Sequence, residues 1–69
     1  MDFQIRQAIA ANVQNESAAG FSSIIDDAIS RGEEHLLPGL GVFLEEWWQQ
    51  ATPDAKQQFT SALEKEFQH

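Results

Sequence analysis

The chain has 69 residues, a length that allows one small domain spanning residues 1–69 and excludes a two-domain enzyme, a Rossmann unit or a barrel. Eleven acidic residues against four basic ones give a net charge of −7, which argues against nucleic-acid binding because DNA affinity comes largely from basic side chains. The absence of cysteine excludes disulfides and thiolate metal sites.

The first half of the sequence predicts two amphipathic helices. The first covers residues 2–13, with Asp2 as N-terminal cap or first-turn anion. Turn-forming residues then predict a loop over residues 14–17. The second helix runs from about Ser17 to Arg31, and Gly32 is placed to end it in the left-handed conformation. Apolar residues recur at helical spacing and predict one inward stripe on each helix: Ile5, Ala8, Ile9 and Val13, then Phe21, Ile24, Ile25, Ala28 and Ile29.

Residues 32–41 are predicted to form a loop built around a tight turn. Pro38 restricts the residue before it to extended conformations, and Pro-Gly is the usual pair at the centre of a type II turn. The surrounding leucines imply that this turn packs inward. The predicted turn consists of Leu37, Pro38, Gly39, Leu40 and Gly41.

The last third of the sequence predicts two more helices. A short, very apolar helix covers residues 42–51. Thr52 then caps a fourth helix, with Pro53 at its first position and Asp54 as a first-turn anion, and this helix ends near Gln68. Its inward stripe is Ala55, Phe59, Ala62, Leu63 and Phe67. The predicted fold is therefore all-α, a compact bundle of three to four short helices.

Two patterns could hold a ligand, and both are better explained as structure. The Gly39-Leu40-Gly41 segment could cradle a phosphate, but no strand precedes it and no lysine completes a P-loop. Acidic residues and one histidine cluster in sequence but lack the one-turn spacing that helical metal sites need. They predict a solvated acidic surface: Glu33, Glu34, His35, Glu45 and Glu46. No cofactor and no metal site are expected.

No arrangement of residues indicates an enzyme. There is no cysteine nucleophile, no serine lies in a nucleophile elbow, and no carboxylate pair is marked for acid–base chemistry. The apolar runs are too short to span a membrane, and the acidic balance disfavours anionic lipid surfaces. Because small secreted domains often depend on disulfides, a cysteine-free chain favours a reducing, cytoplasmic interior.

The adjacent Trp47 and Trp48 are the most informative aromatic feature. Neighbouring residues on a helix point about 100° apart, so both cannot enter one small core. Phe43 shares a face with Trp47, and Leu44 shares another with Trp48. Two apolar faces indicate either a central helix or a helix that binds a partner, and the sequence does not decide between these two interpretations. The candidate interface is Phe43, Trp47 and Trp48, and a homodimer would compensate for the small core.

The sequence resembles the small acid-soluble spore protein I family of endospore-forming bacteria. The resemblance starts with Asp2, Arg6, Ala8, Ala11, Asn12 and Val13, and continues through Ile25, Asp27, Ala28 and Ile29. It is most specific at Gly32-Glu33-Glu34 and Leu37-Pro38-Gly39-Leu40-Gly41-Val42, followed by Glu45 and Trp48. The last twenty residues match only in helical character. His35 in place of a lysine and Trp47 beside Trp48 depart from the family pattern.

This resemblance implies synthesis in the developing forespore, residence in the spore core and extraction by dilute acid. It implies no catalytic activity, and no functional residue can be carried over. The expected role is non-enzymatic, structural or in protein interaction, with self-association or an unknown protein as partner. The alternative from another class is a nucleoid-associated DNA binder, which the net charge of −7 disfavours. An amino-acid reserve used at germination is a further alternative.

Overall fold

The computed structural model describes residues 3–68, with side chains from residue 5 onward. The chain forms four α-helices, and a short 3-10 helix lies between the second and the third: α1 (Phe3–Asn12), α2 (Ala18–Arg31), the 3-10 helix (Glu34–Leu36), α3 (Leu37–Gln50) and α4 (Pro53–Phe67). The all-α prediction is confirmed. Asp2, predicted to cap α1, lies outside the described residues.

The ends of α2 and the start of α4 follow from local chemistry. The hydroxyl of Ser17 accepts a 3.0 Å hydrogen bond from the backbone N–H of Gly20, and so caps α2. Gly32 ends α2 with φ 63°, a left-handed conformation that glycine adopts without a Cβ penalty. The hydroxyl of Thr52 accepts a 3.1 Å bond from the N–H of Ala55, with Pro53 in the first turn of α4. These boundaries agree with the sequence predictions.

The predicted type II turn is wrong, because residues 37–41 form the first turns of α3. Leu37 is helical at φ −60° and ψ −39°, not extended, and Pro38 lies in the first turn of the helix. Proline is tolerated there because its missing N–H would have no partner within the helix. The helix therefore begins five residues earlier than predicted.

Helix α3 lies at the centre of the fold and contacts α1, α2 and the 3-10 helix. Phe21 of α2 meets Phe43 of α3 edge to face, with ring centroids 5.4 Å apart. Gly39 allows a close approach of α1, since a Cβ at Gly39 would lie 3.5 Å from the Cδ1 of Ile9. The interior is thus a thin layer between α1, α2 and the inner side of α3.

The predicted inward stripes are only half correct. Residues near the middle of the fold, such as Ile9, Val13, Phe21, Ile24 and Phe59, are half-buried. Apolar residues farther along the same helices are exposed: Ile5, Ala8, Ile29, Ala62, Leu63 and Phe67. Helical periodicity reports which residues share a side of a helix, but it does not report how far the neighbouring helix extends along that side.

The packing is open for a chain of this size. No side chain from residue 5 to residue 68 is fully buried. The radius of gyration is 13.5 Å, whereas a compact 69-residue domain has about 11 Å. The four helices therefore leave more apolar surface in contact with water than a closed bundle does.

Candidate functional site

One side of α3 is an exposed apolar surface, here called the α3 face: Leu37, Gly41, Leu44 and Trp48. These residues follow one another at intervals of four, three and four, which places them on one line along the helix. Their side chains are 55% (Leu37), 45% (Leu44) and 37% (Trp48) exposed. None of the four carries a charge, although the chain as a whole has a net charge of −7.

Gly41 makes a notch in the α3 face. A Cβ at this position would meet nothing within 4 Å among the residues that the structure describes, so no contact with those residues requires a glycine there. Its φ is not positive either, since Gly32 alone among the described residues has positive φ. Glycine in a helix interior is destabilising relative to alanine by roughly 0.5–1 kcal/mol. The packing of residues 5–68 within one chain therefore gives no reason for a glycine at this position.

An ion pair between α1 and α3 borders the α3 face. Arg6 donates two hydrogen bonds to the carboxylate of Glu45, from Nε at 2.6 Å and from Nη2 at 3.0 Å. The hydrogen bond from Arg6, with its positive charge, holds the pKa of Glu45 below the usual glutamate range. The same bond raises the pKa of Arg6. The pair neutralises the acidic side chain closest to the face and links α1 to α3.

We expect the Arg6→Ala variant to return the pKa of Glu45 toward its ordinary range, as followed by carboxyl NMR shifts during acid titration. Because the folded-state pKa is lowered, the pair stabilises the fold above the ordinary pKa, and this contribution is lost as pH falls through the folded pKa. The difference in thermal midpoint between wild type and Arg6→Ala should therefore shrink on acidification. An unchanged pKa of Glu45 in the variant would contradict this assignment.

Both tryptophans contact α4 and remain partly exposed. Trp47 packs on Phe59 with ring centroids 5.4 Å apart, and its own exposed fraction is 42%. The Nζ of Lys56 lies 5.0 Å from the ring centroid of Trp48, a cation–π geometry. Trp47 thus joins α4 to α3, whereas Trp48 lies at the end of the α3 face.

Leu40 of the predicted turn and Phe43 of the predicted interface lie on the inner side of α3, away from the α3 face. Leu40 is half-buried, and it lines one cleft with Ile9 and Phe43 and another with Ala28. Phe43 is also half-buried and packs against Phe21, so we leave it out of the interaction surface considered below. The sequence contains the spacing of the α3 face, but the loop predicted over residues 32–41 hides it, because Leu37 and Gly41 fall within that loop.

Two acidic residues of the predicted surface, Glu33 and Glu45, form ion pairs in separate places, Glu45 with Arg6 as described above. Glu33 accepts contacts from Arg31 at 3.3 Å and from His35 at 3.2 Å, and Arg31 also reaches Asp27 at 3.6 Å. Among the residues that the structure describes, no group of three or more histidine or acidic side chains is arranged to hold a metal ion. Within the same residues, no helix is long and apolar enough to cross a membrane.

Comparison with known proteins gives a consistent family. The family model described as "Small, acid-soluble spore protein I" matches residues 3–67. Curated proteins of that name are similar over nearly the whole chain: one from Bacillus licheniformis is 45% identical over 94% of this chain and 93% of its own length. One from Bacillus subtilis is 42% identical over 93% and 90%, and one from Halalkalibacterium halodurans is 40% identical over 99% and 100%. No solved structure gives a significant match.

Proposed function

Because the chain belongs to the small, acid-soluble spore protein I family, a family of sporulation proteins, we propose that it is a non-enzymatic protein of the spore core that works through protein contacts. The observation that carries this proposal is the α3 face, an uncharged and exposed surface on a strongly acidic chain. Exposed apolar surfaces of this kind are typical of protein interaction sites. The structure of the face suits a contact with another helix, whose side chains can pack along the line from Leu37 to Trp48.

The basic side chains are poorly placed for the alternative of DNA binding. Arg6 is engaged by Glu45, and Arg31 contacts both Asp27 and Glu33. Lys56 lies over Trp48, and the fourth basic residue, Lys65, is near the end of α4. No cluster of cations is therefore presented to a phosphate backbone, which supports a role in protein contacts.

We expect no salt-sensitive DNA binding. Fluorescence anisotropy of a labelled duplex at low salt should stay unchanged as the full chain is added, because affinity for the phosphate backbone comes largely from basic side chains and three of the four here are engaged within the chain. A basic DNA-binding protein titrated into the same duplex is the positive control. Saturable binding that weakens with salt would favour the nucleoid alternative.

The spore-core assignment is tested by mass spectrometry of dilute-acid extracts. Extracts from purified dormant spores should contain the chain, and extracts from growing cells of the same strain should not. A cytoplasmic protein of growing cells with similar size and pI is the control for extraction. Equal amounts of the chain in both extracts would contradict a role restricted to spores.

A further inference from the structure

We propose that a second copy of this chain covers the α3 face, giving a two-fold symmetric homodimer in which the two antiparallel α3 helices cross between Gly41 and Leu44. This inference rests on the proposed function in one respect, since it names the partner for the same surface. The partner is identified by area, by charge and by the spacing of the residues on the face.

The chain exposes more surface than a compact monomer of its size, and a dimer interface would bury part of that surface. The chain exposes 5815 Å², whereas a compact 7.7 kDa monomer exposes roughly 4,300 Å². The excess is about 1,500 Å², and a standard protein interface removes about 800 Å² from each partner. A second copy can therefore cover about half of this excess without any change in the fold of either chain. Chains of this size commonly gain their stability from oligomerisation.

The charge distribution allows a contact between two chains along the α3 face. Two chains of net charge −7 repel each other, so a stable contact must keep carboxylates out of the interface. The α3 face contains no charged residue, and the neighbouring Glu45 is already neutralised by Arg6. At the other end, Lys56 lies over the ring of Trp48 and places a positive charge beside the face.

The spacing of the face is self-complementary. The intervals of four, three and four are the same when they are read from either end of the helix. An antiparallel two-fold crossing therefore places Gly41 opposite the partner's Leu44, and Leu37 opposite the partner's Trp48. In a two-fold interface each such contact occurs twice, so the notch at Gly41 and the projecting side chain of Leu44 match in both directions.

This arrangement accounts for Gly41. Among the described residues of one chain, a Cβ at Gly41 would point into open space, so alanine would fit there and would favour the helix. In the dimer, that open space is the room that the partner's Leu44 occupies at the crossing. A glycine that lowers helix stability in the monomer is then explained by close approach of a second helix.

The test is sedimentation equilibrium of the full 69-residue chain over a range of concentrations, with wild type compared with Gly41→Ala. Wild type should be dimeric in the micromolar range, and Gly41→Ala should raise the dimer dissociation constant by about tenfold or more, because the added methyl fills the notch. The same variant should raise the thermal midpoint at concentrations where both proteins are monomeric, because alanine favours the helix.

Gly39→Ala is the matched control on the same helix. Its added Cβ would make an ordinary contact with Ile9 at 3.5 Å on the inner side of α3 and lies away from the face. This control should leave the dissociation constant within about threefold of wild type. Leu44→Ala is a second test that does not depend on Gly41: it shortens an exposed side chain to a better helix former, and it should weaken the dimer while helix content is kept.

A wild-type chain that stays monomeric up to about 100 µM would overturn the proposal. Equal dissociation constants for wild type, Gly41→Ala and Leu44→Ala would also overturn it, because a dimer would then use another surface. Strengthening of the wild-type dimer by added salt is expected, since salt screens the repulsion between two acidic chains. These outcomes are independent of the spore extracts: a dimer found in a protein of growing cells would contradict the spore-core assignment alone.

Discussion

Replacing Leu40 by aspartate should remove a large part of the stability of the protein. Leu40 is half-buried and lines the clefts where α1, α2 and α3 meet. The substitution removes an apolar side chain from this layer and places a carboxylate there, with a combined cost of about 3 kcal/mol or more. A small domain has only about 3–5 kcal/mol of stability from its core. Circular dichroism should show reduced helix content and a thermal midpoint lowered by at least ~10 °C.

Two further variants separate the causes of this effect. Leu40→Asn removes the same apolar contacts without adding a charge, and it should have a smaller effect. Gln49→Asp adds a carboxylate at an exposed position of α3, where burial is not changed, and it should leave the thermal midpoint close to wild type. An unchanged midpoint for Leu40→Asp would mean that Leu40 does not contribute to the packing between the three helices.

The helix ends that were predictable depend on a few neighbouring residues. A hydroxyl at Ser17 or Thr52 satisfies backbone N–H groups two or three positions later, and Gly32 accepts a positive φ. Pro38-Gly39 is ambiguous by the same standard, because proline suits both a type II turn and the first turn of a helix. Tertiary packing decides between the turn and the helix. Helices α1 and α2 pack against the inner side of α3, and α3 includes Pro38 and Gly39.

The candidate site was less predictable than the fold. The ion pair joins Arg6 to Glu45 across 39 positions of sequence, and no local pattern reports such a pairing. The α3 face is a local pattern, but it becomes visible only when α3 is extended back to Leu37. A loop over residues 37–41 hides the surface, because it leaves Leu44 as the only residue that shares this side of the helix with Trp48. One wrong boundary changed both the length of a helix and the interpretation of its outer side.

Replacing Trp47 by alanine should release α4 while the rest of the fold stays intact. The ring of Trp47 packs on Phe59 at 5.4 Å between centroids, and every residue from 60 to 68 is exposed. A 15-residue helix without tertiary contacts is only marginally stable in water. Removing an aromatic contact of this kind costs about 2 kcal/mol in local stability, which corresponds to a fall of about 30-fold in amide-exchange protection. The fall should be confined to residues 53–67.

Trp47→Phe keeps a ring against Phe59 and should retain most of the protection of α4. Trp48→Ala keeps the Trp47–Phe59 contact and removes the cation–π contact with Lys56 and the contact with the Trp47 ring, whose centroid lies 6.2 Å away, so it should have a smaller effect on α4. Exchange should be measured at a concentration where the chain is monomeric, so that changes in dimerisation through the α3 face do not affect the measured protection. If protection in α1, α2 and α3 fell equally with that in α4, the four helices would unfold as one unit. A fall limited to α4 would instead show that a few aromatic contacts hold this helix to a core that α1, α2 and α3 form by themselves.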